Sequence, residues 1–177
     1  MAHRKAAHCQ RGFTLMELVI TLVLMGILGT YGASLITDNF RTARMVNATQ
    51  TSADHVRYAV ERMAREIREI KFVDKATGYG IASMSATNLV FTRVIGGADV
   101  TVTITLTGTD VTLRYSPAAA SILSSQVSGF TLAYLKLDNT AATLATDVRF
   151  VVITLTATDA TSGQAITERT RVALRNA

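Results

Sequence analysis

The chain has 177 residues and a mass of 19.0 kDa, is 49% hydrophobic with a mean hydropathy of +0.28, and carries a formal charge of +5 with a pI near 9.7. That composition excludes an intrinsically disordered chain and suits one modest globular domain joined to a lipid-compatible segment. The charge argues only weakly for nucleic acid, because Arg4, Lys5 and Arg11 cluster near the start, and without them 15 basic residues face 13 acidic ones, a net +2. Most of the remaining bases, from Arg41 to Lys75, interleave with Asp54, Glu61, Glu66, Glu69 and Asp74, the pattern of a solvated helix face, and no basic stripe with aromatics accompanies them.

The first element in chain order is an apolar run. Cys9, the single cysteine, precedes it, so it lacks the apolar stretch that a lipoprotein cysteine needs ahead of it. From Leu18 to Ile36 the chain has neither charge nor proline, close to the roughly 20 residues that cross a hydrocarbon core about 30 Å thick. Basic residues in front and a near-neutral mixture behind favour a single pass with the N-terminus in the cytoplasm. An ordinary secretory signal is the alternative, but its only small-x-small site, Thr30-Tyr31-Gly32, is poor, and it leaves the acid Glu17 at the edge of the run unexplained.

The stretch Gly12-Phe13-Thr14-Leu15-Met16-Glu17 resembles the class III signal of type IV prepilins and type II secretion pseudopilins. In that signal a short basic leader ends in glycine, phenylalanine follows, and a glutamate stands five positions into the mature chain. The resemblance implies cleavage between Gly12 and Phe13 by a prepilin peptidase, methylation of the new Phe13 amine by the same enzyme, and retention of the apolar run as an anchor. It further implies that Glu17 serves assembly, meeting the amine of a neighbouring subunit. Physics offers a reason: a cationic amine near hydrocarbon is costly unless paired. Equally, an acid in a first helical turn is favoured by the macrodipole by about 0.3–1 kcal/mol without any partner. Gly26, Gly29 and Gly32 mark either a place where the helix loosens or is closely approached, or small residues simply tolerated in a membrane helix. The proline that family members often have here is absent.

Beyond Ile36 the helix is expected to continue to about Lys71 and to turn amphipathic. Val46, Ala53, Val56, Val60, Met63, Ile67 and Ile70 recur at three- and four-residue steps and need a covering sheet. Glu61 with Arg65, Arg62 with Glu66, and Arg65 with Glu69 are expected as opposite-charge pairs on the outer side. Six strands follow, near Asn88–Ile95, Val100–Leu106, Val111–Tyr115, Gly129–Leu137, Val148–Ala157 and Ile166–Leu174, rich in Val, Ile and Thr. Turn residues at Gly96-Gly97-Ala98-Asp99, Gly108-Thr109-Asp110, Asp138-Asn139 and Ser162-Gly163 imply tight antiparallel connections. They form two meanders, separated by a looser stretch from Ser116 to Val127. The fold class is α+β, a long N-terminal helix packed on an antiparallel sheet, divided into a leader (1–12), a membrane and assembly segment (13–36), an amphipathic helix (37–75) and a sheet domain (76–177).

The residues point to no catalytic set, cofactor or metal. His3, His8 and Cys9 leave with a cleaved leader, and His55 is a lone helical histidine. Asp99, Asp110, Asp138, Asp147 and Asp159 lie mostly in or beside turns, where aspartate serves the backbone, although some members of the resembled family bind calcium in such loops. Arg57–Ile70, Val127–Leu135 and Arg171–Asn176 resemble minor pilins and the larger minor pseudopilins, including those of mannose-sensitive haemagglutinin-type pili. The resemblance implies a non-enzymatic subunit of a type IV pilus or secretion pseudopilus that primes or caps a filament. Its implied partners are the prepilin peptidase, other pilin or pseudopilin subunits, an inner-membrane assembly platform and the lipid bilayer, with the sheet domain in the periplasm or on an extracellular pilus. A membrane-anchored binding module for adhesion, secretion substrates or DNA is the second reading.

Overall fold

The computed structural model describes residues 13–74, 76–160 and 162–175; the leader, with Gly12, Cys9, His3 and His8, lies outside them, as does Asn176. The chain divides into two compact units, Met1–Arg44 and Met45–Ala177. A 54-residue helix, α1, runs from Leu15 to Arg68.

Within the first unit α1 is almost wholly exposed, and its best 18-residue window, with mean hydropathy 2.0, has no buried residue. Length and composition suit it to cross a membrane. The serine and threonine hydroxyls in this apolar stretch are satisfied by the helix itself. Thr21 donates to the Leu18 carbonyl at 2.9 Å, Thr30 to Ile27 at 2.8 Å, Ser34 to Tyr31 at 2.8 Å and Thr37 to Ala33 at 2.9 Å. Such back-bonding removes much of the cost of placing a hydroxyl in hydrocarbon. The helix continues unbroken through Gly26, Gly29 and Gly32, and a Cβ added at any of them would meet nothing within 4 Å.

In the second unit the remainder of α1 buries one face. Val56, Ala59, Val60, Met63, Ala64 and Ile67 are at most 4% exposed, the three- and four-residue spacing that places side chains on one stripe. Ile70, just past the helix, is buried as well. The stripe is shorter than its periodicity predicts. Val46 is 48% exposed and Ala53 only half-buried, because apolar spacing records a face without recording where its cover ends.

Among the described residues, three antiparallel sheets complete this unit. The largest is a meander of β3 (Ile81–Met84), β4 (Asn88–Ile95), β5 (Ala98–Thr107), β6 (Asp110–Tyr115) and β7 (Ser121–Ser124), adjacent in that order. A second meander contains β8 (Val127–Leu135), β9 (Phe150–Thr158) and β10 (Ala165–Ala173), with β9 central. A short pair, β1 (Phe72–Asp74) and β2 (Gly78–Tyr79), follows the helix. Ile95 opposite Ala98 leaves Gly96-Gly97 as the turn between β4 and β5, with φ of +59° and +84°. Both central residues of such a twisted two-residue hairpin need positive φ, which glycine supplies without steric cost. Alternation then sends Leu89, Phe91, Val102, Ile104, Val111 and Leu113 inward from one sheet and Phe130, Leu132, Val151, Ile153 and Leu155 from the other, into one core with Met63 and Ile67.

All six expected strands are present, and two meanders contain them. Four others escape composition. β1, β2 and β3 have at most four residues each, and β7 lies inside the stretch read as loose. Such short strands are held by their neighbours rather than by propensity: β7 pairs with β6 through a shifted register, Val111 opposite Ser124 and Thr112 opposite Ile122. Val148, expected to open a strand, instead closes a 3-10 turn (Ala145–Asp147), where it is fully buried.

Candidate processing and assembly segment

Helix α1 begins with a cap. Thr14 Oγ1 accepts a hydrogen bond from the Glu17 backbone N–H at 3.2 Å, and the Thr14 carbonyl accepts from Leu18 N–H at 3.2 Å. Thr14 thus acts as an N-cap, its hydroxyl oxygen satisfying one of the four orphan N–H groups of the helix start, and Glu17 stands at the third helical position, the Thr-x-x-Glu spacing of a capping box. That pattern was present in the sequence and escaped the reading above. Phe13, 76% exposed, precedes the cap, and Glu17 lies in the first turn, followed by Leu18, Val19 and Ile20, each about half exposed. The arrangement presents an aromatic residue, a capped helix start and one carboxylate at the head of an apolar helix.

In the second unit the expected outer ion pairs are redistributed. Arg62 lies 3.2 Å from Glu66, but Glu66 is fully buried instead of facing outward. The charge is met from across the sheet: Arg93, on β4, donates to Glu66 and also pairs with Glu69. Arg62 in turn donates to the Tyr115 hydroxyl at 2.8 Å. Burial is the leading cause that raises the Tyr115 hydroxyl pKa, followed by its contact with Glu66. Arg57 pairs with Glu61 at 4.0 Å, whereas Arg65 pairs with neither Glu61 nor Glu69.

The turn aspartates disperse over the unit. Asp99 pairs with Lys71 at 2.6 Å, and Asp147 with Lys136 at 3.2 Å. Asp138 accepts from the Thr140 backbone and hydroxyl. Asp110 opens β6 beside the Gly108 turn. Asp159, 7% exposed, ties the β9–β10 turn to the helix, accepting from Ser52 Oγ at 2.7 Å, from Ser162 N–H at 2.6 Å and from Ser162 Oγ at 2.8 Å. Among the described residues no group of three His, Cys, Asp or Glu could hold a metal ion. His55 is exposed and borders a cavity of about 300 Å³ with Ser52, Ile122 and Gln126.

The family described as the prokaryotic N-terminal methylation motif matches residues 7–31, which include Gly12, Phe13, Glu17 and most of the apolar stretch. That motif, at the head of a long apolar helix followed in the chain by antiparallel sheets, supports a type IV prepilin-like protein, and the architecture is α+β and pilin-like. The motif implies a precursor that a prepilin peptidase processes and that assembles with other pilins. No curated protein matches the chain.

Proposed function

We propose that the protein is a minor pilin or pseudopilin, a structural subunit that primes or caps a type IV pilus or a type II secretion pseudopilus and performs no catalysis. One conjunction carries this reading: the methylation motif at residues 7–31 runs directly into a capped, exposed, apolar helix bearing a single carboxylate, Glu17. The peptidase cuts between Gly12 and Phe13 and methylates the Phe13 amine. Glu17 then pairs with the amine of a neighbouring subunit, where lipid or protein surrounds both charges and neither can remain unpaired cheaply. The helix holds the subunit in the inner membrane with its N-terminus cytoplasmic and its sheet domain periplasmic until an assembly platform draws it into a fibre. A minor position is favoured because Phe13–Ala177 contains no cysteine, so no disulfide closes a C-terminal loop.

N-terminal sequencing and intact mass of protein extracted from membranes test the reading. A chain beginning at methylated Phe13 supports it. A chain beginning near Ala33, as after an ordinary signal peptide, overturns it.

A further inference from the structure

The outer side of β10 is open. This strand pairs with β9 along its whole length, Ala165 opposite Thr158 through Ala173 opposite Phe150, without a register shift, and no other strand flanks it among the described residues. A regular edge presents alternating N–H and C=O groups to solvent, and proteins commonly blunt such edges with prolines, bulges or very short strands. β10 has no proline and no bulge over its nine residues, and its one guard is charge, at Glu168, Arg169 and Arg171, which disfavours a strand of unmatched charge.

Charge gathers beside this edge. A groove of about 380 Å³ is bordered by Arg57, Glu61, Arg65 and Arg68 of α1 and by Glu168 and Thr170 of β10. Arg57 and Glu61 pair with each other, while Arg65 and Arg68 have no ion pair among the described residues and face one carboxylate, Glu168. On the other face of the strand Arg169 is exposed and equally unpaired, whereas Arg171 is held by Asn139 and lies 3.7 Å from the Phe150 ring centre. Three free guanidiniums therefore flank the edge against one free acid.

We propose that β10 and the arginines on its helix-facing side form a docking site for an extended, carboxylate-bearing segment of another protein, added as a further strand with the acids of one face on Arg65 and Arg68. The edge offers acceptors and donors in alternation, so its complement must return both in the same rhythm, which a polypeptide does and a phosphodiester does not. Main-chain bonding supplies the register, and the planar arginine fork selects carboxylates. A second copy of β10 is a poorer complement, because it brings a single acid, Glu168, and antiparallel registers centred on Arg169 or Thr170 would oppose arginine to arginine. The inference does not depend on how the N-terminal segment is processed.

Amide hydrogen exchange of the full chain in detergent micelles tests it, with two capped peptides matching β10 in length, one alternating threonine with glutamate and the other threonine with lysine. The acidic peptide should saturably slow exchange of alternate amides from 165 to 173, and the basic one should not. Arg65→Ala with Arg68→Ala should weaken the acidic peptide about tenfold. Arg65→Lys with Arg68→Lys, which keeps charge but loses the fork, should recover part of that affinity, separating recognition from misfolding. Equal protection by both peptides, no saturable protection, or protection confined to other strands would overturn the proposal. Protection of β10 that grows with protein concentration alone would overturn it too, by making a second copy the occupant.

Discussion

Arg93, on β4, donates its guanidinium to the carboxylate of Glu66, a helix residue with no solvent exposure. The second carboxylate oxygen faces Arg62 at 3.2 Å as an ion pair outside hydrogen-bonding geometry, and Glu69 takes the other arm of Arg93. Two acids and two guanidiniums thus neutralise one another where α1 meets the sheet. A buried carboxylate is tolerable only in such company.

Removing one partner should therefore cost more than removing both. Arg93→Met leaves Glu66 with Arg62 alone and should destabilise the sheet unit by about 3 kcal/mol, whereas Glu66→Leu combined with Arg93→Met should recover most of that loss. Urea titrations of a fragment beginning at Met45 measure both. Equal destabilisation by the single and double variants would contradict the argument.

That fragment should be soluble and unfold cooperatively, since Val56, Val60, Met63 and Ile67 complete its core. A fragment beginning at Lys71 should aggregate, because it uncovers the apolar faces that these side chains close; each such burial is worth about 1.5–3 kcal/mol. Within the longer fragment, Ile67→Ala should cost about 2–5 kcal/mol. Light scattering and thermal melting report both comparisons.

The cap and the carboxylate at the head of α1 should separate experimentally. Thr14→Ala should fray the first turn, costing about 1 kcal/mol of local helix stability. Glu17→Ala should leave cleavage and membrane insertion nearly unchanged yet reduce recovery in sheared filaments, because an unpaired buried amine costs about 3–5 kcal/mol. If Glu17 favours only its own helix dipole, incorporation should barely change. Quantifying each cleaved variant in membranes and in filaments decides between the two.

Two loops should respond to acid. Asp74 accepts from the Thr77 and Ala76 N–H groups at 2.6 and 2.8 Å, and its pKa is lowered chiefly by the Thr77 backbone bond. Asp138 is lowered chiefly by the Thr140 hydroxyl. Because the folded values lie below the unfolded ones, these contacts stabilise the loops above the ordinary carboxylate range near pH 4, and the contribution is lost as pH falls through the folded values. Amide exchange at Ala76, Thr77 and Thr140 should accelerate over that descent and stay level, after correction for intrinsic rates, from pH 5 to 7.

The long strands were legible because β-branched alternation between Asn88 and Leu174 decides their conformation with little help from the rest of the chain. β7 was not, since Ser121–Ser124 becomes a strand only by lying against β6. Glu66 misled for a related reason. Its spacing from Arg62 marks an exposed pair, and nothing local announces that Arg93, 27 positions later, will cover it. The methylation motif and the apolar helix were readable from their own residues, because both are written in a contiguous stretch, whereas the Asp159 clip joins residues 107 positions apart.

The self-satisfied hydroxyls of the apolar helix bear on how readily it changes surroundings. Thr21, Thr30, Ser34 and Thr37 already spend their donors on carbonyls one turn back. Extraction from lipid into a bundle of similar helices need break none of those bonds, so the transfer exchanges one set of van der Waals neighbours for another. These four hydroxyls therefore give the helix little with which to resist sliding or rotating among its neighbours.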